Sequence, residues 1–150
     1  MKAVIQRVKK ANVTVGDTVK GRIGRGLLIF LGVAEDDNLT DVEWLANKVS
    51  KIRIFSDNKN NMNESIKQIN GEILVISQFT LHAKTKKGNR PSFIEAANSD
   101  LALDLYTRFI NLLGQLLEIN IQSGEFGSKM NVMLENDGPV TIIIDTKNKQ

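Results

Sequence analysis

Three short segments carry residue types whose order could do chemistry. Ser77-Gln78-Phe79-Thr80-Leu81 sets a hydroxyl, an amide, an aromatic ring and a second hydroxyl at the end of an apolar run, where a rigid strand can hold a site beside an accessible loop. Thr80 and His82 would share one face if that strand continued, which suggests a hydroxyl with its base. A histidine-activated nucleophile also needs a third group to orient the imidazole, and the sequence identifies none. Lys84, Lys86, Lys87 and Arg90 then fall within seven residues, followed by Pro91, Ser92 and Phe93. Such a loop can track phosphates, with Phe93 free to stack on a base or to anchor the loop. The third segment is Asn136-Asp137-Gly138-Pro139, ahead of Val140-Thr141.

Taken singly, each segment has a plain structural explanation. Thr favours strands, a charge run solvates a loop, a neighbouring aromatic belongs in a core, and Asn-Asp-Gly-Pro makes a hairpin turn. Composition narrows the chemistry. The 150 residues hold no cysteine and one histidine, which excludes a thiol nucleophile, disulfides and a His/Cys metal cluster. A net charge of +3 permits a polyanionic partner without demanding one. Leu27 to Ala34, the longest apolar stretch, is too short to span a bilayer, and the opening residues read as strand, not as a signal peptide. A cytoplasmic protein with no membrane contact is expected.

Periodicity outlines the elements that must hold these segments. Ala3 to Val8 alternates, with Val4, Gln6 and Val8 on one side and Ala3, Ile5 and Arg7 on the other, and Val13 and Val15 continue the strand. Gly16-Asp17 marks a turn and Thr18 to Ile23 the returning strand; Gly24 and Gly26 punctuate before Leu27 to Val33, a strand buried on both faces. Thr40 and Glu43 match a capping box, so a helix is expected to start there, with Val42, Leu45, Ala46, Val49 and Ile52 facing the core. Ile52 to Phe55 reads as strand and Asp57 to Asn63 as a polar loop. Asn70-Gly71 turns the chain into a strand from Glu72 to Phe79. A second helix is expected from about Asp100 to Leu117, capped by Ser99, with Leu101, Leu105, Phe109, Leu112 and Leu116 buried. Ile119 and Ile121 suggest a short strand, and Met130 to Leu134 and Val140 to Ile144 read as two more, joined by the Gly-Pro turn. The order lacks the regular alternation of a doubly wound parallel sheet. The expectation is therefore an α+β fold, one domain over 1–150, with a curled, largely antiparallel, barrel-like sheet and two main helices.

In chain order, Ser77-Gln78-Phe79-Thr80-Leu81, Lys87-Gly88-Asn89-Arg90-Pro91-Ser92-Phe93, Gly124-Glu125-Phe126-Gly127 and Asn136-Asp137-Gly138-Pro139-Val140-Thr141 resemble the signature of the D-aminoacyl-tRNA deacylase family. The opening Met1-Lys2-Ala3-Val4-Ile5-Gln6-Arg7-Val8 and the Gly26-Leu27-Leu28 strand entry fit the same pattern, so the resemblance spans essentially the whole chain. Ser128 stands where the family more often has alanine.

The resemblance implies a hydrolase, needing neither metal nor cofactor, that cleaves the ester between a D-amino acid and the 3′ end of tRNA, its partner. It implies an obligate homodimer in which a cis Gly138-Pro139 pair enters the other subunit's site. Main-chain carbonyls of that pair would hold the α-amino group, so an L side chain would meet backbone while a D side chain points outward. Because backbone reads the amino group, many D-amino acids would be accepted, and glycine with them. Gly138, Pro139, Met130, Phe126 and Arg7 are implied in substrate binding, Arg7 by supporting the Gly-Pro loop. Ser77, Gln78, Phe79 and Thr80 form the implied catalytic segment. Backbone N–H groups near Phe79 and Thr80 would stabilise the oxyanion, the tRNA's terminal 2′-hydroxyl would assist, and Thr80 would shape the site without being an indispensable nucleophile. Lys86, Lys87 and Arg90 are the expected tRNA contacts. The competing reading is a noncatalytic nucleic-acid-binding module built on the basic loop, which explains the charge but not Ser77 to Leu81. A relative that clears L-alanine from noncognate tRNA is disfavoured, because such relatives differ at that segment.

Overall fold

Alternation carries the first strand further than its apolar residues alone suggest. In the computed structural model, which describes residues 1–149, β1 (Lys2–Val15) is unbroken through Lys9 and Lys10. The turn at Gly16-Asp17 returns the chain as β2 (Thr18–Ile23), and β3 (Gly26–Gly32) continues along the same edge of β1, with pairs from Val13↔Gly21 through Ala11↔Ile23 and Val8↔Gly26 to Lys2↔Gly32. The opposite edge of β1 takes β8 (Asn131–Asp145), also antiparallel. Beyond β3 lie β6 (Glu72–Ser77) and the short β7 (Gln122–Ser123), both parallel to their neighbours. The sheet curls until β2 nears β7: a Cβ on Gly21 would lie 2.8 Å from the Ser123 carbonyl oxygen. β4 (Phe55–Ser56) and β5 (Met62–Glu64) form a separate small ribbon. The expected α+β fold with a curled, largely antiparallel sheet is borne out, with two parallel pairings added.

The apolar run of β3 is buried on both faces, because each face meets a different core. Leu27, Ile29 and Leu31, with Ile73 and Val75 of β6, pack under the helices; Leu28, with Leu74 and Ile76, lines the interior of the curl. β1 serves both cores in turn, giving Ala3 and Ile5 to the first and Val8, Ala11 and Val13 to the second. Lys9 and Lys10 are exposed where the buried face changes.

The helices α1 (Leu39–Lys51) and α2 (Ser99–Leu117) cover the first core. Val42, Leu45, Ala46 and Val49 are buried as expected, whereas Ile52 is already the C-cap. Both N-caps differ from the sequence expectation. Asn38, not Thr40, caps α1: its side chain accepts from Thr40 N at 2.9 Å, and Asp41 Oδ2 accepts from Asn38 N at 3.1 Å. Asn98, not Ser99, caps α2, accepting from Leu101 N at 3.0 Å. In each case an Asn just upstream reaches the unpaired N–H groups first. The buried stripe of α2 is Leu105, Tyr106, Phe109, Leu113 and Leu117, so Leu112 and Leu116 lie at its flank. Among the described residues no helix is long and apolar enough to cross a membrane.

Candidate active site

β6 ends at Ser77, and Gln78 keeps one last ladder-like bond, N to Leu31 O at 2.8 Å. The chain then tightens into a 3-10 turn, Phe79–His82. The strand therefore does not continue to place Thr80 and His82 on a common face. His82 is 6% exposed and does not bond Thr80, and among the described residues its Nε2 has no hydrogen-bond partner. Gln78 Nε2 instead donates to Thr80 Oγ1 at 2.6 Å. Among the described residues, the N–H groups of Phe79 and Thr80 have no acceptor outside their own turn. Helical turns leave their first donors open in this way, and such donors suit an oxyanion.

Ser77, Gln78 and Phe79 form one wall of a cleft of about 530 Å³, within the ~300–1,000 Å³ common for small-molecule sites. Phe126, Gly127, Ser128 and Met130 form another. The third, which sequence reasoning did not select, comes from the start of α2: Ala97, Asn98, Ser99, Ala102 and Tyr106. Its one sequence signal is the cap Asn98, since a helix N-terminus must sit where polar groups can meet it. Ala97 N donates to Val33 O at 3.0 Å and fixes this wall to β3. The 124–127 turn is fixed by Glu125, which pairs with Lys20 at 2.6 Å and accepts from Ser128 Oγ at 2.5 Å. Those hydrogen bonds and the Lys20 charge hold Glu125 below the usual carboxylate range. None of the cleft-lining residues is Asp, Glu, His, Lys or Arg. Thr80 is exposed at the mouth and is not part of the lining.

Tyr106 is the one ionisable group in the walls. Its hydroxyl donates to Val75 O at 2.8 Å, and burial pushes its phenol up to about 12, against an opposing hydrogen bond with Ser123. A pKa raised on folding favours the native state below the unfolded value of 10.0 and loses that stabilisation as pH rises towards 12. Since Tyr106 is the sole tyrosine, absorbance titration of the native protein should show a tyrosinate midpoint near 12. A midpoint at the ordinary phenol value would mean that the wall is open to water.

The Gly-Pro segment is not a hairpin turn. Residues 131–145 form one strand, and residues 137–140 bulge out of it opposite Arg7, between the pairs Gln6↔Thr141 and Val8↔Asn136. Asn136 Nδ2 closes the base of the bulge, donating to Arg7 O at 3.0 Å and to Val140 O at 3.1 Å. Arg7, nearly buried, donates from Nε to Asp137 O at 3.2 Å, lies 3.1 Å from the Asp137 carboxylate, and donates from Nη1 to Ile54 O at 2.6 Å. The Gly138-Pro139 peptide is cis, and both residues are exposed. Gly138, Pro139 and Arg7 do not line the cleft of their own chain, whereas Ser77, Gln78, Phe79, Phe126 and Met130 meet there. Lys86, Lys87 and Arg90 occupy an exposed loop closed by the Lys84↔Ser92 bridge. Lys84 pairs with Glu95; among the described residues Lys86, Lys87 and Arg90 form no ion pair.

Comparison with known proteins places this architecture. A D-aminoacyl-tRNA deacylase of Cytophaga hutchinsonii is 55% identical over 150 residues, all of both chains. A solved structure described as c-Myc DNA Unwinding Element Binding Protein superposes with a TM-score of 0.91 at 38% identity, covering 97% of this chain and 98% of that one. A second, described as a probable eukaryotic D-amino acid tRNA deacylase, shares the fold with a TM-score of 0.85 at 19% identity, over 95% of this chain and 97% of that one. The sequence profile of D-Tyr-tRNA(Tyr) deacylase matches residues 4–145. With that match and full-length identity above half, the chain belongs to the D-Tyr-tRNA(Tyr) deacylase family.

Proposed function

We propose that the protein hydrolyses the ester of D-aminoacyl-tRNA, releasing the D-amino acid and tRNA. Identity of 55% along its entire length with a D-aminoacyl-tRNA deacylase carries this reading. The cleft favours a particular division of labour. An aminoacyl ester is already activated, so orienting water and stabilising the oxyanion can suffice. Phe79 and Thr80 offer backbone donors for the second task. Among the described residues no carboxylate or imidazole lines the cleft to act as general base, and the phenol of Tyr106 is engaged with Val75 and its pKa is raised by burial. In keeping with the family resemblance, proton transfer is assigned to the substrate: the 2′-hydroxyl of the terminal adenosine takes a proton from the attacking water as it passes its own to the departing 3′-oxygen, leaving the free acid and the tRNA diol. Thr80→Ala, which removes a side chain outside the cleft lining, should retain hydrolysis within about tenfold of wild type in single-turnover assays. Complete loss in a folded variant would make Thr80 the nucleophile instead.

Chiral selection is assigned to Gly138 and Pro139 acting in the partner's cleft, with the pocket rejecting L side chains by contact with backbone. Glycine, having no side chain to reject, would pass the same filter. Two features support exchange between subunits. The pair bulges from its own strand and is not part of the lining of its own chain's cleft. Among the described residues the outer edge of β8 pairs with no strand, and Met133 and Ile143 beside it are 67% and 73% exposed, a surface that a second copy would cover. Such a homodimer would work wherever aminoacyl-tRNA is handled, in the cytoplasm.

Side-by-side assays of D-tyrosyl-tRNA and L-tyrosyl-tRNA test this reading; release from the D substrate alone is expected. Equal release from both would remove chirality from the mechanism. A second reading, a nucleic-acid-binding module without turnover, is favoured by Lys86, Lys87 and Arg90, unpaired among the described residues, and by the 38%-identical structure described as c-Myc DNA Unwinding Element Binding Protein. No release from either substrate, with tRNA binding that weakens in salt, would put it first.

A further inference from the structure

Between the basic loop and the cleft lies an apolar surface that extends from the Phe79 wall beyond the cleft lining. Ile94 is 77% exposed and Phe79 56%. The half-buried Phe93 stands edge-on to Phe79, with ring centroids 5.0 Å apart and planes at 70°. The backbone on both sides is fixed. Lys84 and Ser92 exchange hydrogen bonds of 2.8 and 3.0 Å, Ala96 N donates to Phe93 O at 3.0 Å, and Glu35 N donates to Glu95 O at 3.0 Å. One end of this shelf continues through Ala97 and Asn98 into the cleft wall, and Phe79 joins it to the opposite wall. Its other end is the loop carrying Lys86, Lys87 and Arg90, whose charges are unpaired among the described residues.

An apolar shelf flanked by free cations is the arrangement that holds a single strand: bases stack while phosphates meet charge. Resting on the deacylase reading, we propose that Phe93, Ile94 and the exposed face of Phe79 form a stacking platform for the unpaired nucleotides immediately 5′ of the terminal adenosine of tRNA. The cleft takes the aminoacyl-adenosine, the platform takes the penultimate bases, and the loop cations take the phosphates behind them. The order of the three along the surface matches the order of parts in an acceptor end. Recognition of this kind is indifferent to base identity.

The test compares three D-tyrosyl substrates: intact tRNA, tRNA with an abasic penultimate position, and D-tyrosyl-adenosine. Ile94→Ser, at a site contacting solvent, removes apolar contact with a base and should raise KM for intact tRNA severalfold at unchanged kcat. On D-tyrosyl-adenosine it should match wild type, and on the abasic tRNA the two proteins should converge. Phe93→Leu should follow the same pattern. Equal losses on tRNA and D-tyrosyl-adenosine would overturn the proposal by making the shelf part of the cleft, and no change on tRNA would overturn it outright. A change in the light-scattering mass of Ile94→Ser would assign the patch to a subunit contact. If wild type cleaves none of the three, the deacylase reading fails separately. Anisotropy with uncharged tRNA and its abasic form then decides the platform, with weakening by Ile94→Ser on the intact strand alone still required.

Discussion

A Gly138→Ala protein should fold normally and yet release D-tyrosine from its tRNA about a hundredfold more slowly, the penalty expected when a positioning group moves by about 1 Å. Gly138 has φ +122°, and a Cβ there would lie 2.8 Å from Arg7 Nη2 and 2.9 Å from Val140 Cγ2. An L side chain in that backbone region costs roughly 1–3 kcal/mol, so the bulge would relax into another shape. Relaxation is easy because residues 138 and 139 are exposed, which is why stability should change little while turnover collapses. The sharper reading is stereochemical: residual activity should discriminate less between D- and L-tyrosyl-tRNA. A near wild-type rate with intact selectivity would remove the 137–140 bulge from the site altogether.

Among the glycines, Gly26 should be the most damaging to replace by alanine. Gly26 sits between Val8 of β1 and Glu72 of β6, and an added Cβ would come within 2.7 Å of the Glu72 carbonyl carbon and 2.8 Å of its nitrogen. Those atoms are backbone in a paired strand, so nothing flexible can yield, and the cost should exceed about 3 kcal/mol. In urea this corresponds to a midpoint lowered by more than about 1 M. Because β6 carries Ser77 and Gln78 to the cleft, activity per folded molecule should fall as well. A midpoint within a few tenths of a molar of wild type would show that β3 and β6 can part without cost at this position.

Local patterns in the sequence made much of this architecture legible. The uninterrupted run at β3 marked a strand buried on both faces, and helical spacing found the stripe of α1, because both signals depend only on neighbours. Caps were misassigned by one or two residues, since Asn38 and Asn98 compete for the same donors as Thr40 and Ser99. The larger misreading was β8. Asn136-Asp137-Gly138-Pro139 has the composition of a hairpin turn, but the chain does not reverse there, because Arg7 and Asn136 tie the bulge to a strand more than a hundred residues away. The burial of His82 is non-local in the same way: it follows from packing of the turn against β3, where its ring approaches Gly32. Of the cleft, the Ser77–Phe79 wall stood out by type and position, and the α2 wall did not. What brings Asn98 and Tyr106 to it is contact with Val33 and Val75, which no local pattern encodes.

The sharing of β1 between two cores bears on how the molecule breathes. Ala3 and Ile5 belong to one core and Val8, Ala11 and Val13 to the other, so neither can open while the other keeps its strand. The cleft lies on the seam, drawing Leu31 from the first core and Ile76 from the second. Core amides on either side of that seam should therefore exchange with solvent at similar rates, through one shared opening. A substrate arriving there meets a surface already in its working shape, and ordering the walls takes nothing from the affinity.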